Sequence, residues 1–118
     1  MRFEPRYSRS ERIRYAIDAT DLIAGYIAGI DEAGFLASRF HQDAVCMQLI
    51  HLADLLKPLD DDQGDLRQAI PEIGRVFGMR NIIVHQYLTI NDRIVWNVAA
   101  QELPELRIKL QRLLDVNV

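Results

Sequence analysis

The sequence lacks several features that mark secreted and membrane proteins. Its 118 residues include one cysteine, Cys46, so no internal disulfide can form. No apolar run reaches the roughly 18 residues that a membrane-spanning helix needs. The polar start, MRFEPRYSRSERIR, lacks the apolar stretch of a signal peptide. We therefore expect one cytoplasmic domain over residues 1–118 that makes no membrane contact, with Cys46 as a small core residue rather than a nucleophile.

Metal ligands and phosphate-binding loops are also scarce. Two of the three histidines, His41 and His51, lie ten positions apart on one predicted helix, too far apart to share a metal ion. No serine nucleophile elbow is present. Gly74 and Gly78 lie inside a predicted helix, where we expect them to allow close helix approach rather than to bind phosphate. The sequence thus predicts no metal site and no cofactor, and Trp96 is expected in the core or at an interface.

Charge is low overall and uneven along the chain. A net charge of −3 argues against a protein that coats nucleic acid through bulk electrostatics, but it allows an enzyme that holds a few phosphates. Five of the 14 basic residues fall in the first 14 positions: Arg2, Arg6, Arg9, Arg12 and Arg14. An acidic cluster, Asp60 to Asp62, lies mid-chain. These charges indicate either a frayed basic end and a solvated loop, or a basic arm that contacts substrate.

Apolar residues recur at helical spacing in four segments, and none alternates with the period of a strand. The first helix is capped by Ser8 or Ser10 and ends before the DEAG segment, 31–34. The second covers roughly 36–57 and is expected to end at Pro58. The third begins with a turn near Leu66, restarts at Pro71 and runs to residue 87. The fourth is capped by Asn91 or Asp92 and is bent or split after Leu103 by Pro104. The pattern predicts an all-α bundle of four or five helices.

The third helix carries polar residues within an apolar run, GMRNIIVHQY, residues 78–87. Met79, Ile82, Ile83 and Val84 are typical of an inner face. On a helical wheel Tyr87 lies about 20° from Arg80, and both point into the apolar arc, while Asn81 and His85 stand at its border. A buried, unpaired guanidinium would cost several kcal/mol.

Two explanations satisfy Arg80. It could pair with a carboxylate of a neighbouring helix, such as Asp43 or Asp54, with His85 a half-buried surface residue. Alternatively, the arc faces a cleft or a second subunit, where Arg80 holds an anion and His85 moves a proton. Arginine matches phosphate oxygens bidentately, and histidine titrates near neutrality, so the pair could cleave a phosphodiester without a metal.

The run MRNIIVHQY resembles the signature of HepT-like proteins, members of the HEPN superfamily. The signature is arginine, four residues, histidine, one residue and tyrosine, which here are Arg80, His85 and Tyr87. The resemblance extends to HQDAVCMQLIHLADLLKPL, IPEIGRVFGMRN and INDRIVWNVAAQELPELRIKL, and covers roughly residues 12–114. Where the family often has a glutamate late in its second helix, the nearest equivalent here is Asp54.

The resemblance implies an α-helical HEPN-type bundle that dimerises through the face bearing the motif. It implies the toxin of a type VII-like HepT/MNT toxin–antitoxin pair, a metal-independent endoribonuclease. Arg80 would bind the scissile phosphate, Asn81 would orient the site, and His85 would act as general acid or base while the ribose 2′-hydroxyl attacks. Asp43 and Asp54 are possible supporting residues. The implied partner is an MNT-type nucleotidyltransferase that neutralises the toxin by adenylylating Tyr87.

Two other functions remain open at the level of sequence. A HEPN module without catalysis could bind a nucleotide or a nucleotidyltransferase partner, which the acidic pI slightly favours. A structural subunit could carry Arg80 in an ion pair with its own chain.

Overall fold

A computed structural model describes residues 7–63 and 66–116, and all regular secondary structure in these ranges is helical. The helices are α1 (Arg9–Ile27), α2 (Glu32–Leu36), α3 (Arg39–Gln63), α4 (Leu66–Ala69), α5 (Glu72–Gln86), α6 (Asp92–Asn97) and α7 (Leu103–Val116). A 3-10 turn, Tyr87–Thr89, follows α5, and a π-helical segment, Val98–Glu102, joins α6 to α7. The predicted all-α bundle is confirmed.

Helix starts follow the capping residues of the sequence. Ser8 and Glu11 form a capping box at α1, in which each side chain accepts a hydrogen bond from the main-chain N–H of the other residue, at 3.1 and 2.9 Å. The Asn91 side chain caps α6. Asp31 caps the short helix α2, which includes most of the DEAG segment. That segment was expected only to separate two helices.

The predicted end of the second long helix at Pro58 is wrong. Helix α3 continues to Gln63 with Pro58 inside it, although a proline lacks the N–H that the helix ladder needs. Burial of the following turn offsets this loss. Leu59 joins the core, and the buried Asp60 carboxylate accepts hydrogen bonds from the Arg67 main-chain N–H and Nε, at 3.2 and 2.9 Å. Asp60 is therefore not part of a solvated loop; Gly64 and Asp65 of that predicted loop lie outside the described residues.

The predicted split of the last helix occurs slightly earlier than expected. The π-helical segment precedes Leu103, and Pro104 becomes the second residue of α7. Helix α7 follows the π-helical segment without a break, and the Leu103 N–H bonds to the Val98 carbonyl five residues back, just before the residue that lacks an N–H. The wider π segment thus resets the hydrogen-bond ladder just before the proline.

A single hydrophobic core joins the helices, with α1 packed against both α3 and α7 and α5 packed against α3. Cys46 is buried in it as predicted, and the desolvation of its thiol raises the pKa to about 11. Trp96 is half-buried beside the Phe35 ring, with centroids 5.5 Å apart. In the part of the chain that the structure describes, no helix is long and apolar enough to cross a membrane.

Candidate functional site

Helix α5 lies antiparallel to α3, as two contacts between them show. Arg80 forms an ion pair with Asp54, and Tyr87, just after α5, forms a hydrogen bond with the earlier α3 residue Asp43. The core side of α5 consists of Ile73, Val76, Met79 and Ile83. Of the residues predicted for the inner face, Met79 and Ile83 are buried, but Ile82 and Val84 are exposed. The buried arc is therefore rotated away from the centre that the helical wheel gave it.

This rotation places Arg80 at the border of the arc rather than inside it. Its side chain is 37% exposed, and its Nε lies 3.7 Å from Oδ1 of Asp54, whose side chain is 60% exposed. Arg80 lines a cavity of about 390 Å³ between α3 and α5 together with Ala53, Asp54, Lys57, Arg67, Phe77 and Asn81. The guanidinium is thus paired but reachable by a ligand.

Tyr87 forms a second small network with α3. Its hydroxyl donates a hydrogen bond to the Asp43 carboxylate and accepts one from Arg39 Nη1 at 3.3 Å. The Arg39 guanidinium also lies over the Tyr87 ring, 5.4 Å from its centroid. The hydrogen bond to Asp43 and, to a smaller extent, desolvation raise the pKa of the Tyr87 phenol, while the Arg39 charge opposes this shift.

His85 stands apart from both networks. It lies five positions after Arg80, so it projects about 140° around α5 from Arg80 and roughly 7.5 Å further along the axis. It is exposed, it is not among the residues lining the Arg80 cavity, and its imidazole forms no hydrogen bond or ion pair with any described residue. One copy of the chain therefore brings Arg80 together with Asn81 and Asp54, and Tyr87 with Asp43, but does not bring His85 to either.

The exposed sides of α3 and α5 carry large apolar side chains beside these polar groups. On α3, Phe40 lies three residues before Asp43 and Met47 four residues after it, and their exposed fractions are 79% and 63%. Val84 on α5 and Leu88 in the 3-10 turn are also exposed. We call the surface formed by Phe40, Met47, Val84 and Leu88 the apolar rim.

Close helix approach was expected at the two glycines of α5, but within one copy of the chain no neighbouring helix packs closely against either of them. A Cβ at Gly78 would meet no described atom within 4 Å, and one at Gly74 would meet only Cδ of Arg67, at the ordinary contact distance of 3.8 Å. A glycine inside a helix is less stable than alanine by roughly 0.8–1 kcal/mol. The packing of the described residues does not account for that cost at Gly78.

Three residues near the site were missed in the sequence. Arg39 has a local signal, its i, i+4 spacing from Asp43, with the two charges 3.9 Å apart. Lys57 follows Asp54 by three residues and so shares its helix face. Arg67 had no usable signal, because its position depends on the burial of Asp60 after a proline. Among the residues described here, no three His, Cys, Asp or Glu side chains are grouped closely enough to hold a metal ion.

Comparison with known proteins identifies the class to which this fold and helix motif belong. A family model described as Ribonuclease HepT-like matches residues 16–113, which include α5 and most of the bundle. The chain belongs to the HepT-like ribonuclease family, and the predicted HEPN-type bundle is confirmed with it.

Several curated proteins resemble the chain over most of its length. A protein named "Probable ribonuclease HepT" from Thermococcus cleftensis is 26% identical and aligns over 90% of this chain and 96% of its own. A "Putative RNase" from Caldanaerobacter subterraneus is 22% identical, with 87% and 91% covered. A "Gamma-glutamylcyclotransferase and putative RNase" from Methanocaldococcus jannaschii is 23% identical, but the chain spans only 46% of that relative. No solved structure matches the chain at a significant level.

Proposed function

We propose that the protein is a metal-independent endoribonuclease and the toxin of a type VII-like HepT/MNT toxin–antitoxin pair. The observation that carries the proposal is the position and partial exposure of the Arg80 guanidinium. Its guanidinium lies beside a cavity, only partly buried, on the helix that also exposes His85, in a chain of the HepT-like ribonuclease family. RNA supplies its own nucleophile, so the protein needs only proton transfer and charge stabilisation.

In this reaction the ribose 2′-oxygen attacks the adjacent phosphorus, and the bond from phosphorus to the 5′-oxygen of the next nucleotide breaks. The products are a 2′,3′-cyclic phosphate and a free 5′-hydroxyl. A proton must leave the 2′-hydroxyl and another must reach the departing 5′-oxygen, which are tasks for His85. Arg80 stabilises the charge that develops on the phosphate oxygens, and Asn81 orients the group.

Substrate must replace Asp54 at Arg80. The two charges are 3.7 Å apart and both side chains are well exposed, so water screens their attraction and the pair contributes at most about 1 kcal/mol. A phosphate, which accepts two hydrogen bonds from a guanidinium, can therefore displace the carboxylate. Asp54 would then hold Arg80 in place between turnovers.

A second copy of the chain would complete the site. Arg80 and His85 diverge by about 140° on one helix, and within one copy His85 does not line the cavity beside Arg80. The apolar rim beside them would be buried by an identical surface in a twofold dimer. Gly78 supports this arrangement, since its missing side chain would let another backbone approach α5 one turn before Ile82. We propose a homodimer in which Arg80 of one copy and His85 of the other act on the same phosphate.

Neutralisation would act through Tyr87. An MNT-type nucleotidyltransferase would bring ATP to the tyrosine. The phenolic oxygen then attacks the α-phosphorus, pyrophosphate leaves, and the Asp43 carboxylate accepts the phenolic proton through the hydrogen bond already present. The attached AMP would add bulk and negative charge near the proposed site, where it would compete with the RNA backbone.

The test of the nuclease is cleavage of single-stranded RNA with EDTA present. We expect the wild type to cut the RNA, and His85→Ala to lose at least about 100-fold in rate, since general acid–base catalysis contributes that much or more. His41→Ala is the matched control and should cut normally, because His41, in the first turn of α3, is hydrogen-bonded to Ser38 just before that helix. Equal silence of wild type and His85→Ala would reject the nuclease.

That negative result would favour the alternative, a HEPN module that binds a nucleotide or a nucleotidyltransferase partner without catalysis. The observation on its side is the Arg80–Asp54 ion pair, which satisfies Arg80 within its own chain. Incubation with the partner and ATP, followed by mass spectrometry, tests the regulation separately. One AMP on Tyr87 is expected, and AMP elsewhere or none would reject that half of the proposal.

A further inference from the structure

A second cavity adjoins the one at Arg80. Its volume is about 500 Å³, and its lining includes Tyr7, Arg12 and His51 together with Asp54 and Lys57. Asp54 and Lys57 also line the first cavity, so the two cavities share these two residues of α3, and we treat them together as one groove. We propose that this groove binds the RNA strand that flanks the scissile phosphate, and we call it the RNA track; the inference rests on the proposed nuclease function.

Positive side chains follow the RNA track in a chain whose net charge is negative. Beyond Arg80 they are Arg67, Lys57 and Arg12, which come from α4, α3 and α1. Phosphates recur along an RNA strand, so cations spaced along a groove hold its backbone whatever the base sequence. Arg12 belongs to the basic amino-terminal segment for which a substrate-contacting role was one of two expectations, and it lines the groove. Arg2 and Arg6 of that segment lie outside the described residues.

Two cations of the RNA track, Arg67 and Lys57, are paired with carboxylates, and neither pairing prevents the cation from binding a phosphate. Asp60, the partner of Arg67, is buried, and it binds Nε and the main chain; the terminal nitrogens of Arg67 form no hydrogen bond to any described residue. The other pair, between Lys57 and Asp61, is 2.6 Å long but exposed on both sides, where such pairs are weak. A phosphate can therefore bind Lys57 and Arg67 without moving a buried charge.

Aromatic rings accompany the cations at two points. Arg67 Cζ and Lys57 Nζ lie over the Phe77 ring, 5.3 and 5.7 Å from the ring centroid. Arg12 Cζ lies over the Tyr7 ring, 5.7 Å from its centroid. Phe77 packs against the core and supports the two cations that would hold phosphates, whereas Tyr7 is 37% exposed and offers ring surface to a base, as in grooves that bind single strands. The chemistry thus points to single-stranded RNA rather than to a duplex.

The basic groups of the RNA track are held in place before any ligand binds. Arg12 Nη1 donates a hydrogen bond to the Leu55 carbonyl at 3.4 Å, which ties α1 to α3. Arg67 is fixed by its two bonds to Asp60. Preorganised side chains lose less conformational entropy on binding, so these contacts favour the strand even in an acidic protein.

The test is binding of a fluorescein-labelled 2′-O-methyl RNA of about 12 nucleotides, measured by fluorescence anisotropy over a range of salt concentrations. The probe lacks the free 2′-hydroxyl and cannot be cut. We expect Lys57→Gln and Arg12→Gln each to weaken binding several-fold and to reduce the slope of log K against log salt by about 0.7, the value for one phosphate contact on a single strand. Arg93→Gln and Arg107→Gln, which lose exposed cations paired with Glu32 and Asp21 outside the RNA track, should leave both quantities unchanged.

Other outcomes separate this inference from the proposed function. No binding by the wild type, or equal losses in the track and control variants, overturns the RNA track. Cleavage of ordinary RNA by Lys57→Gln with an unchanged KM also overturns it, while leaving the nuclease intact. Binding that depends on Lys57 and Arg12, without any cleavage of ordinary RNA, supports the track and rejects the nuclease. Because Lys57 is exposed, its variant should fold normally, and a thermal melt checks this.

Discussion

Arg80 Nε lies 3.7 Å from Oδ1 of Asp54. This ion pair joins α5 to α3 beside a cavity that both residues line. The pair keeps the arginine extended towards α3 and leaves part of the guanidinium in solvent. An exposed ion pair of this kind is weak enough to be exchanged for a stronger ligand. Asp54 is thus both the support of Arg80 and the group with which a phosphate has to compete.

Substitution of Asp54 should expose this competition. We expect Asp54→Asn to lower the KM for RNA about two- to five-fold, since an exposed ion pair of up to 1 kcal/mol no longer has to be broken. The turnover number should change little. Steady-state cleavage kinetics measure both, with Asp21→Asn, which breaks the exposed pair with Arg107, as the control. A raised KM in Asp54→Asn would mean that the carboxylate helps to bind substrate.

The Tyr87–Asp43 hydrogen bond predicts a pH dependence. Asp43 favours the neutral phenol and raises its pKa, so Asp43→Asn should lower that pKa towards the ordinary value of about 10. Because the protonated form is favoured in the folded protein, the stabilisation from this contact is present below the unfolded-state pKa. It is lost as the pH rises through the higher folded-state pKa.

An ultraviolet absorbance titration can isolate this phenol when the curve of Tyr87→Phe is subtracted. The midpoint assigned to Tyr87 should shift down in Asp43→Asn and stay in place in Asp18→Asn, where an exposed carboxylate on α1 is removed. The same Asp43→Asn change should slow adenylylation, since the phenolic proton loses its acceptor. An unshifted midpoint would show that the hydrogen bond does not form in solution.

Gly78 predicts a conflict between stability and assembly. We expect Gly78→Ala to raise the free energy of unfolding of the protomer by roughly 0.8–1 kcal/mol, as for any exposed helix-interior glycine, and to weaken the dimer and RNA cleavage. Gly25→Ala in α1 is the matched control, since a Cβ there also meets no described atom within 4 Å. It should stabilise the protomer by a smaller amount, since Gly25 lies in the last turn of α1, and it should leave the dimer unaffected. Urea unfolding and light scattering measure the two effects, and a Gly78→Ala dimer as tight and active as wild type would contradict the proposed interface.

Much of the fold could be predicted because it depends on local signals. Ser8, Glu11 and Asn91 cap helices through contacts within a few residues, and the apolar period locates the four long segments. The end of α3 could not be predicted, because a proline usually ends a helix and only the tertiary burial of Leu59 and Asp60 outweighs that tendency here. Local signals also missed α2, whose cap Asp31 lies in a segment expected only as a break between helices.

The candidate site shows a similar division. The motif residues Arg80, His85 and Tyr87 and the carboxylates Asp43 and Asp54 were singled out from the sequence, and the structure joins both carboxylates to the helix that bears the motif or to the turn after it. The orientation was wrong, since a modest rotation of α5 turns Arg80 to the border and exposes Val84. Helical spacing gives angles between residues but not the direction in which the helix faces its neighbours.

The central claim is that Arg80 of one copy and His85 of another cut RNA together without a metal. Its most direct test is cleavage of single-stranded RNA in EDTA by Arg80→Ala, by His85→Ala and by an equal mixture of the two after subunit exchange. Each variant alone should be silent, and the mixture should recover about a quarter of wild-type activity, since half of the dimers are mixed and each of those holds one intact site. A mixture as silent as its components, in the presence of an active wild type and confirmed mixed dimers, would contradict the claim.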